Sequence, residues 1–243
     1  MRPAELSSSG PDRWSISPAI RPTFGTIPML DSAQQRANLV ATQLRTNDVT
    51  DPRLIKAVLS VPREDFVPAA LVPLAYMEGC IPLGKGRVLI DLRSFGKMAQ
   101  LAAIGPQDRV LDVGCGTGYS TAVLAHLGVH VIGLEEEPEL AAIATEQLRG
   151  VANAEIVCAK LSEGLQTRAA FDVIFVNGAV EQTPHALTGQ LANGGRLVCI
   201  VQDGAAGHAR IFLKDDGAIG ERDAFDAQVP VLPGFEKSRS FTF

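Results

Sequence analysis

Residues 110–119 read VLDVGCGTGY, a short apolar run followed by glycine at every second position. The run at 110–113 predicts a buried strand, and the apolar pattern at 120–127 predicts a helix. The three glycines between them let the backbone turn tightly and let a ligand approach main-chain atoms closely. The stretch therefore predicts a strand, a ligand-binding loop and a helix in direct succession.

An acidic residue lies where such a loop would need one. Glu135 ends the next predicted strand, 17 residues after Gly118. In a doubly wound sheet, loops that follow neighbouring strands meet at the carboxyl edge, where ligands bind. A carboxylate there can accept two hydrogen bonds from a ribose diol, so Glu135 is a candidate ligand for a nucleoside.

The glycine spacing favours one nucleoside cofactor over another. Dinucleotide sites use GxGxxG, but Tyr119 stands where the third glycine would be. Here the pattern is GxGxG, with Asp112 two residues before the first glycine. That pattern suits S-adenosylmethionine, which carries adenosine without a phosphate. A nicotinamide site and a glycine-rich turn without any ligand are the alternatives.

Apolar runs alternate with amphipathic stretches beyond the loop, which predicts βαβ units and a doubly wound, mostly parallel α/β sheet. Residues 209–213 and 240–243 read as closing strands without helices between them. The other predicted strands are 129–134, 154–158, 173–176 and 196–201, and the other predicted helices are 138–148 and 183–191.

Three segments are predicted along the chain. Residues 1–28 are rich in proline and serine and read as a disordered leader, or as an over-extended start with Met29 as the initiator. Residues 29–104 read as an N-terminal helical cap and substrate loop, with helices starting at Asp31 and Asp51 and a third at 92–104. Residues 62–87 between them read as irregular. Residues 105–243 read as the S-adenosylmethionine-binding domain.

Composition excludes several classes of protein. The net charge is −5 and aromatic residues make up 5% of the chain, which argues against a nucleic-acid partner. No apolar run approaches the roughly 20 residues of a membrane helix. The four cysteines form no CxxC pair, and the four histidines lack metal-ligand spacing, so we expect reduced thiols and no metal. We expect a soluble protein, cytoplasmic by default.

Several further motifs, in this order, resemble one family. The chain reads VPREDFVP at 61–68, IPLGKG at 81–86, FDVI at 171–174 and QLANGGRLV at 190–198. Together with the glycine motif, this order resembles the protein-L-isoaspartate (D-aspartate) O-methyltransferases from about residue 31 to at least residue 201. The resemblance implies a class I methyltransferase sheet of seven strands with an antiparallel last pair and an N-terminal helical extension.

The resemblance also implies an activity. It implies methyl transfer from S-adenosyl-L-methionine to the α-carboxylate of isoaspartyl residues, which permits repair of damaged proteins. The partner would be a protein or peptide with isoaspartyl residues, and the oligomeric state is left open. The predicted cofactor-binding residues are Asp112, Gly114, Cys115, Gly116, Gly118, Glu135 and Lys160.

The sequence departs from the family pattern at two sites. Ile90 stands where the family has a hydroxyl residue beside the substrate carboxylate, and Lys160 stands where an acid receives the adenine amino group. Arg87 and Asp91 are candidate substrate contacts, because an arginine can hold a carboxylate through two hydrogen bonds.

These departures keep two alternatives open. One is a catalytically silent relative that acts as a binding or scaffold module. The other is a methyltransferase for a different carboxylate or a small-molecule acceptor.

Overall fold

The glycine loop follows an interior strand of a seven-stranded sheet. The computed structural model describes residues 31–128, 130–204 and 206–237. Within them the strands are β1 (Ile81–Gly84), β2 (Arg87–Leu89), β3 (Arg109–Val113), β4 (His130–Glu135), β5 (Ala154–Cys158), β6 (Phe171–Val180), β7 (Leu191–Asp203), β8 (Ala206–Asp215) and β9 (Ala218–Asp226). The sheet order is β5-β4-β3-β6-β7-β8-β9, while β1 and β2 form a separate antiparallel hairpin.

The strand directions confirm the predicted fold class. Strands β5, β4, β3, β6 and β7 run parallel, and β8 and β9 complete the sheet through antiparallel pairing. Parallel strands end at a common edge, so the loops after β3, β4 and β6 are neighbours. This edge is where the chain can build a ligand site.

Six α-helices lie in the described part of the chain. They are α1 (Ser32–Leu39), α2 (Pro52–Ser60), α3 (Leu92–Ala102), α4 (Tyr119–Ala125), α5 (Pro138–Gln147) and α6 (His185–Thr188). The carboxylates of Asp31, Asp51 and Asp91 accept backbone N–H groups at the starts of α1, α2 and α3. None of the described helices has the length and apolar character needed to cross a bilayer.

Two apolar clusters cover the two faces of the sheet. Neighbouring residues of β3 alternate between them: Val110 belongs to the cluster that includes residues of α1–α5, and Leu111 belongs to the opposite one. The first cluster contains residues on both sides of position 105. The division into a cap at 29–104 and a domain at 105–243 stays a prediction.

The structure corrects two predicted elements and adds a strand, β9, that the apolar pattern does not predict. Residues 62–87 are not irregular throughout, because β1 turns into β2 through Gly84, Lys85 and Gly86, all with positive φ. The helix predicted at 183–191 is only the single turn α6. The last described strand is β9, while the strand predicted at 240–243, the leader at 1–28 and Val129 lie outside the described residues.

Candidate active site at the carboxyl edge of the sheet

The glycine loop folds as its sequence predicts. Gly114, Gly116 and Gly118 have φ of +77°, +56° and +97°, a region that residues with a Cβ rarely adopt. The N–H groups of Gly114 and Cys115 both point to the carbonyl of Leu134 in β4, at 2.8 and 3.2 Å. This anchors the loop to the neighbouring strand and leaves α4 to begin at Tyr119.

Asp112 lies beneath the loop and has no exposed surface. Its carboxylate accepts hydrogen bonds from the hydroxyls of Ser120 and Thr121, each at 2.6 Å, and from the amide of Asn177. Burial raises the pKa of Asp112 to about 6, although these three hydrogen bonds oppose the shift. Its bonds to α4 and β6 indicate a role in holding the loop in place.

Glu135 is fully buried at the end of β4. Oε2 accepts the N–H of Gly116 at 2.8 Å. Oε1 accepts the N–H groups of Glu136 and Glu137 at 3.0 and 3.2 Å. The main chain therefore fixes this carboxylate beside the glycine loop.

Arg87, a predicted substrate contact, instead forms an ion pair with the carboxylate of Glu135. It extends from β2 and is 3% exposed. Its Nη2 is 3.2 Å from Oε2 of Glu135, and its Nε lies 3.3 and 3.4 Å from Oε1 and Oε2. No local sequence pattern indicates this ion pair, which joins residues 48 positions apart.

The remaining predicted substrate positions are buried or already bonded. Ile90 is 2% exposed and packs into the first apolar cluster, while its carbonyl accepts Nη2 of the buried Arg63 at 2.8 Å. The carboxylate of Asp91 accepts the N–H of Ser94 at 2.8 Å at the start of α3. Ile90 is therefore part of the apolar core, and Asp91 caps the start of α3.

The predicted adenine-side residue points outward. Lys160 is exposed, and its ammonium lies 2.9 Å from the carboxylate of Glu163. A side-chain oxygen of Glu136 accepts the N–H of Leu161 at 3.3 Å, so an acid other than the one expected at position 160 lies beside this loop. The side chain of Cys115 is buried, and burial raises the pKa of its thiol well above the usual range.

Residues 227–237, here called the strap, cross the carboxyl edge of the sheet after β9. Ala179 in β6 donates to the carbonyl of Pro230 and accepts the N–H of Leu232, both at 2.9 Å. Glu181 donates to the carbonyl of Phe235 at 3.0 Å. Leu232 is 2% exposed and lies against the loop after β3, at Gly114, and against the last part of β6, at Gly178. No motif in the sequence of the strap predicts that it lies at this edge.

The framework of the site fits an adenosyl cofactor. The glycine turn leaves the backbone bare, and Glu135 presents a carboxylate held by three backbone N–H groups beside it. A Cβ at Gly114 or Gly116 would meet three side chains of the chain itself, those of Leu83, Arg87 and Leu232. In the described residues, no cluster of three or more His, Cys, Asp or Glu side chains is placed to hold a metal ion.

Comparisons with known proteins agree with this architecture. The family model described as Protein-L-isoaspartate(D-aspartate) O-methyltransferase matches residues 34–231. A protein-L-isoaspartate O-methyltransferase of Koribacter versatilis is 41% identical over 168 residues, which cover 68% of this chain and 76% of that protein. One from Methylorubrum extorquens is 37% identical over 215 residues, covering 85% and 92%.

Solved structures show the same fold. A protein-L-isoaspartate O-methyltransferase superposes with a TM-score of 0.73 at 24% identity, over 82% of this chain and 66% of that one. A Plasmodium falciparum structure described as a protein-L-isoaspartate O-methyltransferase, in complex with S-adenosyl-L-homocysteine, has a TM-score of 0.69 at 20% identity, over 83% and 97%. The predicted fold and the predicted family are both confirmed: this chain belongs to the protein-L-isoaspartate(D-aspartate) O-methyltransferase family.

Proposed function

We propose that the chain transfers the methyl group of S-adenosyl-L-methionine to the α-carboxylate of isoaspartyl residues in proteins or peptides. Its membership of a methyltransferase family supports the reaction class. The observation that carries the proposal is the buried carboxylate of Glu135, held by backbone N–H groups next to the glycine loop. Such a carboxylate is suited to accept the two hydroxyls of a ribose.

The protein's contribution to such a reaction is positioning and the exclusion of water. When bound, S-adenosyl-L-methionine supplies an electrophilic methyl group on a sulfonium, which a carboxylate oxygen can attack directly. Glu135 and the glycine turn orient the adenosyl group. The buried side chain of Leu232 gives this edge an apolar surface, and such a surface desolvates an attacking carboxylate.

The acceptor follows from the family and not from a contact in the site. Curated relatives of this chain carry the name protein-L-isoaspartate O-methyltransferase. An isoaspartyl acceptor in a protein or peptide is therefore our proposal. We do not propose nucleic acid as the acceptor, because the chain has a net charge of −5. A cytoplasmic location of the protein stays a prediction.

Methyl transfer from radiolabelled S-adenosyl-L-methionine to a matched pair of peptides tests the proposal. The two peptides share one sequence and differ only in an isoaspartyl or an aspartyl linkage. We expect base-labile label in the isoaspartyl peptide and none in the aspartyl peptide. Equal labelling of both peptides, or label in neither, would contradict isoaspartyl transfer.

The residue Ile90 favours a second candidate function, that of a catalytically silent relative. The side chain is apolar, buried and unable to hydrogen-bond a substrate carboxylate. A silent relative would bind the cofactor without turnover. It would have the apolar residue at position 90 and would keep the carboxylate of Glu135 beside the glycine loop. Binding of S-adenosyl-L-homocysteine without methylation of the isoaspartyl peptide would favour this candidate or a different acceptor.

A further inference from the structure

The carboxylate of Glu135 is fully engaged by the protein itself. Ionised carboxylates offer about four acceptor positions. Five donor atoms lie within hydrogen-bond distance of this one: the backbone nitrogens of Gly116, Glu136 and Glu137, and Nε and Nη2 of Arg87. While Arg87 occupies this place, no acceptor position is left for a ribose.

The five donors are of two kinds. Three belong to the main chain of the glycine loop and of the turn into α5, so they stay while the fold stays. The other two lie at the end of the Arg87 side chain. A ribose diol also presents two donors, so the Nε and Nη2 groups of Arg87 stand in for its two hydroxyls.

The guanidinium also takes up space above the glycine loop. A Cβ built on Gly114 would lie 2.7 Å from Nη2 of Arg87 and 3.2 Å from Leu232. A Cβ on Gly116 would lie 2.7 Å from Leu83, and one on Gly178 would lie 2.5 Å from Leu232. The bare backbone that would receive an adenosyl group is thus covered from the hairpin β1–β2 and from the strap.

We propose that Arg87 is an internal competitor for the cofactor site: it holds Glu135 in the free protein, helped by Leu232, and must leave before a ribose can bind. The inference rests on the proposed function, because it assigns Glu135 to the ribose. It makes Arg87 a determinant of cofactor affinity.

The competition has a quantitative consequence. The apparent dissociation constant of a ligand equals its intrinsic value divided by the fraction of protein that is open to it. If nine molecules in ten are closed by Arg87, removing its donors lowers the apparent constant about tenfold. A residue with a purely structural role would not tighten binding when it is removed.

Arg87→Met isolates this effect. Methionine keeps an unbranched apolar stem in the buried position but has no N–H donors. Glu135 keeps its three backbone donors, so its charge stays solvated by the protein. Arg87→Lys keeps a charged donor and serves as the conservative variant. Arg149→Met is the matched control, because Arg149 is exposed and pairs with Glu146 on the surface.

Calorimetric titration of the full chain with S-adenosyl-L-homocysteine measures the competition. We expect Arg87→Met to bind about tenfold or more tightly than wild type, while Arg87→Lys and Arg149→Met stay within about threefold of it. Thermal unfolding of each protein without ligand checks that it is folded. If Arg87→Met does not fold, Arg87→Gln takes its place with the same expectation.

The outcomes separate this inference from the function it rests on. Equal or weaker binding by a folded Arg87→Met variant, with a wild type that binds, overturns the inference alone. Absence of binding by every protein at millimolar ligand overturns the proposed function as well. Binding by the variant and not by wild type supports the inference and shows that Arg87 keeps the natural site closed.

Discussion

Asn177 in β6 donates through Nδ2 to the carboxylate of Asp112 in β3, and both side chains are buried. This contact joins two central strands of the sheet directly under the glycine loop. Two hydroxyls from α4 donate to the same carboxylate. Asp112 therefore connects three elements whose relative position sets the shape of the loop.

Replacement of this carboxylate by an amide, Asp112→Asn, should change how stability depends on pH. Burial raises the pKa of Asp112 to about 6. A carboxyl whose folded pKa is raised contributes stability at low pH, which is lost as the pH rises through 6. We expect wild type to lose on the order of 1 kcal/mol between pH 5 and pH 8 through this group, a loss that Asp112→Asn lacks.

Urea unfolding at the two pH values measures this difference. Asp203→Asn is the control, because Asp203 is exposed, and it should follow the wild-type dependence. An Asp112→Asn variant with an unchanged pH dependence would show that this carboxyl does not titrate in the predicted range.

The glycine loop offers a test with a closely matched control. Gly114→Ala and Gly217→Ala place a Cβ at similar φ, +77° and +82°, so each should lose about 1–2 kcal/mol of stability from backbone strain. A Cβ at Gly114 meets Arg87 and Leu232, whereas one at Gly217 meets open space. We expect only Gly114→Ala to lose S-adenosyl-L-homocysteine binding. Equal loss of binding in both variants would contradict the assignment of the glycine loop to cofactor binding.

Ile90 stands where the family pattern has a hydroxyl residue, and restoring a hydroxyl there should raise activity. Ile90→Ser supplies a hydroxyl, and one hydrogen bond to a charged group corresponds to about 1.5–3 kcal/mol. We expect methylation of the isoaspartyl peptide to rise by about tenfold or more in kcat/KM. Because Ile90 is buried, the variant should also unfold at a lower temperature.

Val58→Ser provides the control for that lower stability. Val58 is buried in α2 and makes no contact assigned to the site. It should lose stability without gaining activity. If Ile90→Ser methylates no better than wild type, a hydroxyl at this position is not what the site lacks.

The strap can be tested with two truncations of buried aliphatic side chains. Leu232→Ala and Val229→Ala should both lower the free energy of unfolding, by about 2–4 and 1–3 kcal/mol, because both side chains are buried. Leu232 covers the loop after β3 and the last part of β6. We expect Leu232→Ala alone to bind S-adenosyl-L-homocysteine more tightly, measured by calorimetry. Tighter binding by both would point to general loosening of the strap.

The sequence predicted the centre of the molecule well. The apolar run at 110–113, the glycines after it and Glu135 are local signals, and β3, the glycine loop and β4 appear where those signals lie. Such signals depend on residues close together in the chain. The order of motifs added the family, which the comparisons confirm.

The missed features depend on contacts between distant segments. Arg87 lies 48 residues before Glu135, and no local pattern records their pairing. Strand β9 was missed because nearly all of it is exposed, so it lacks the alternation of apolar and polar residues that marks a half-buried strand. Leu232 is one apolar residue among irregular chain, and only the fold places it over the glycines.

The most direct test of the central claim asks whether Glu135 holds the ribose, with which Arg87 competes for this carboxylate. The double variant Arg87→Met with Glu135→Gln removes both members of the buried ion pair, so neither charge is left without its partner. Calorimetry with S-adenosyl-L-homocysteine compares it with Arg87→Met alone. We expect the single variant to bind more tightly than wild type and the double variant to bind about tenfold or more weakly than the single one. Equal binding by the two variants would contradict the claim, because Glu135 would then contribute nothing to holding the cofactor.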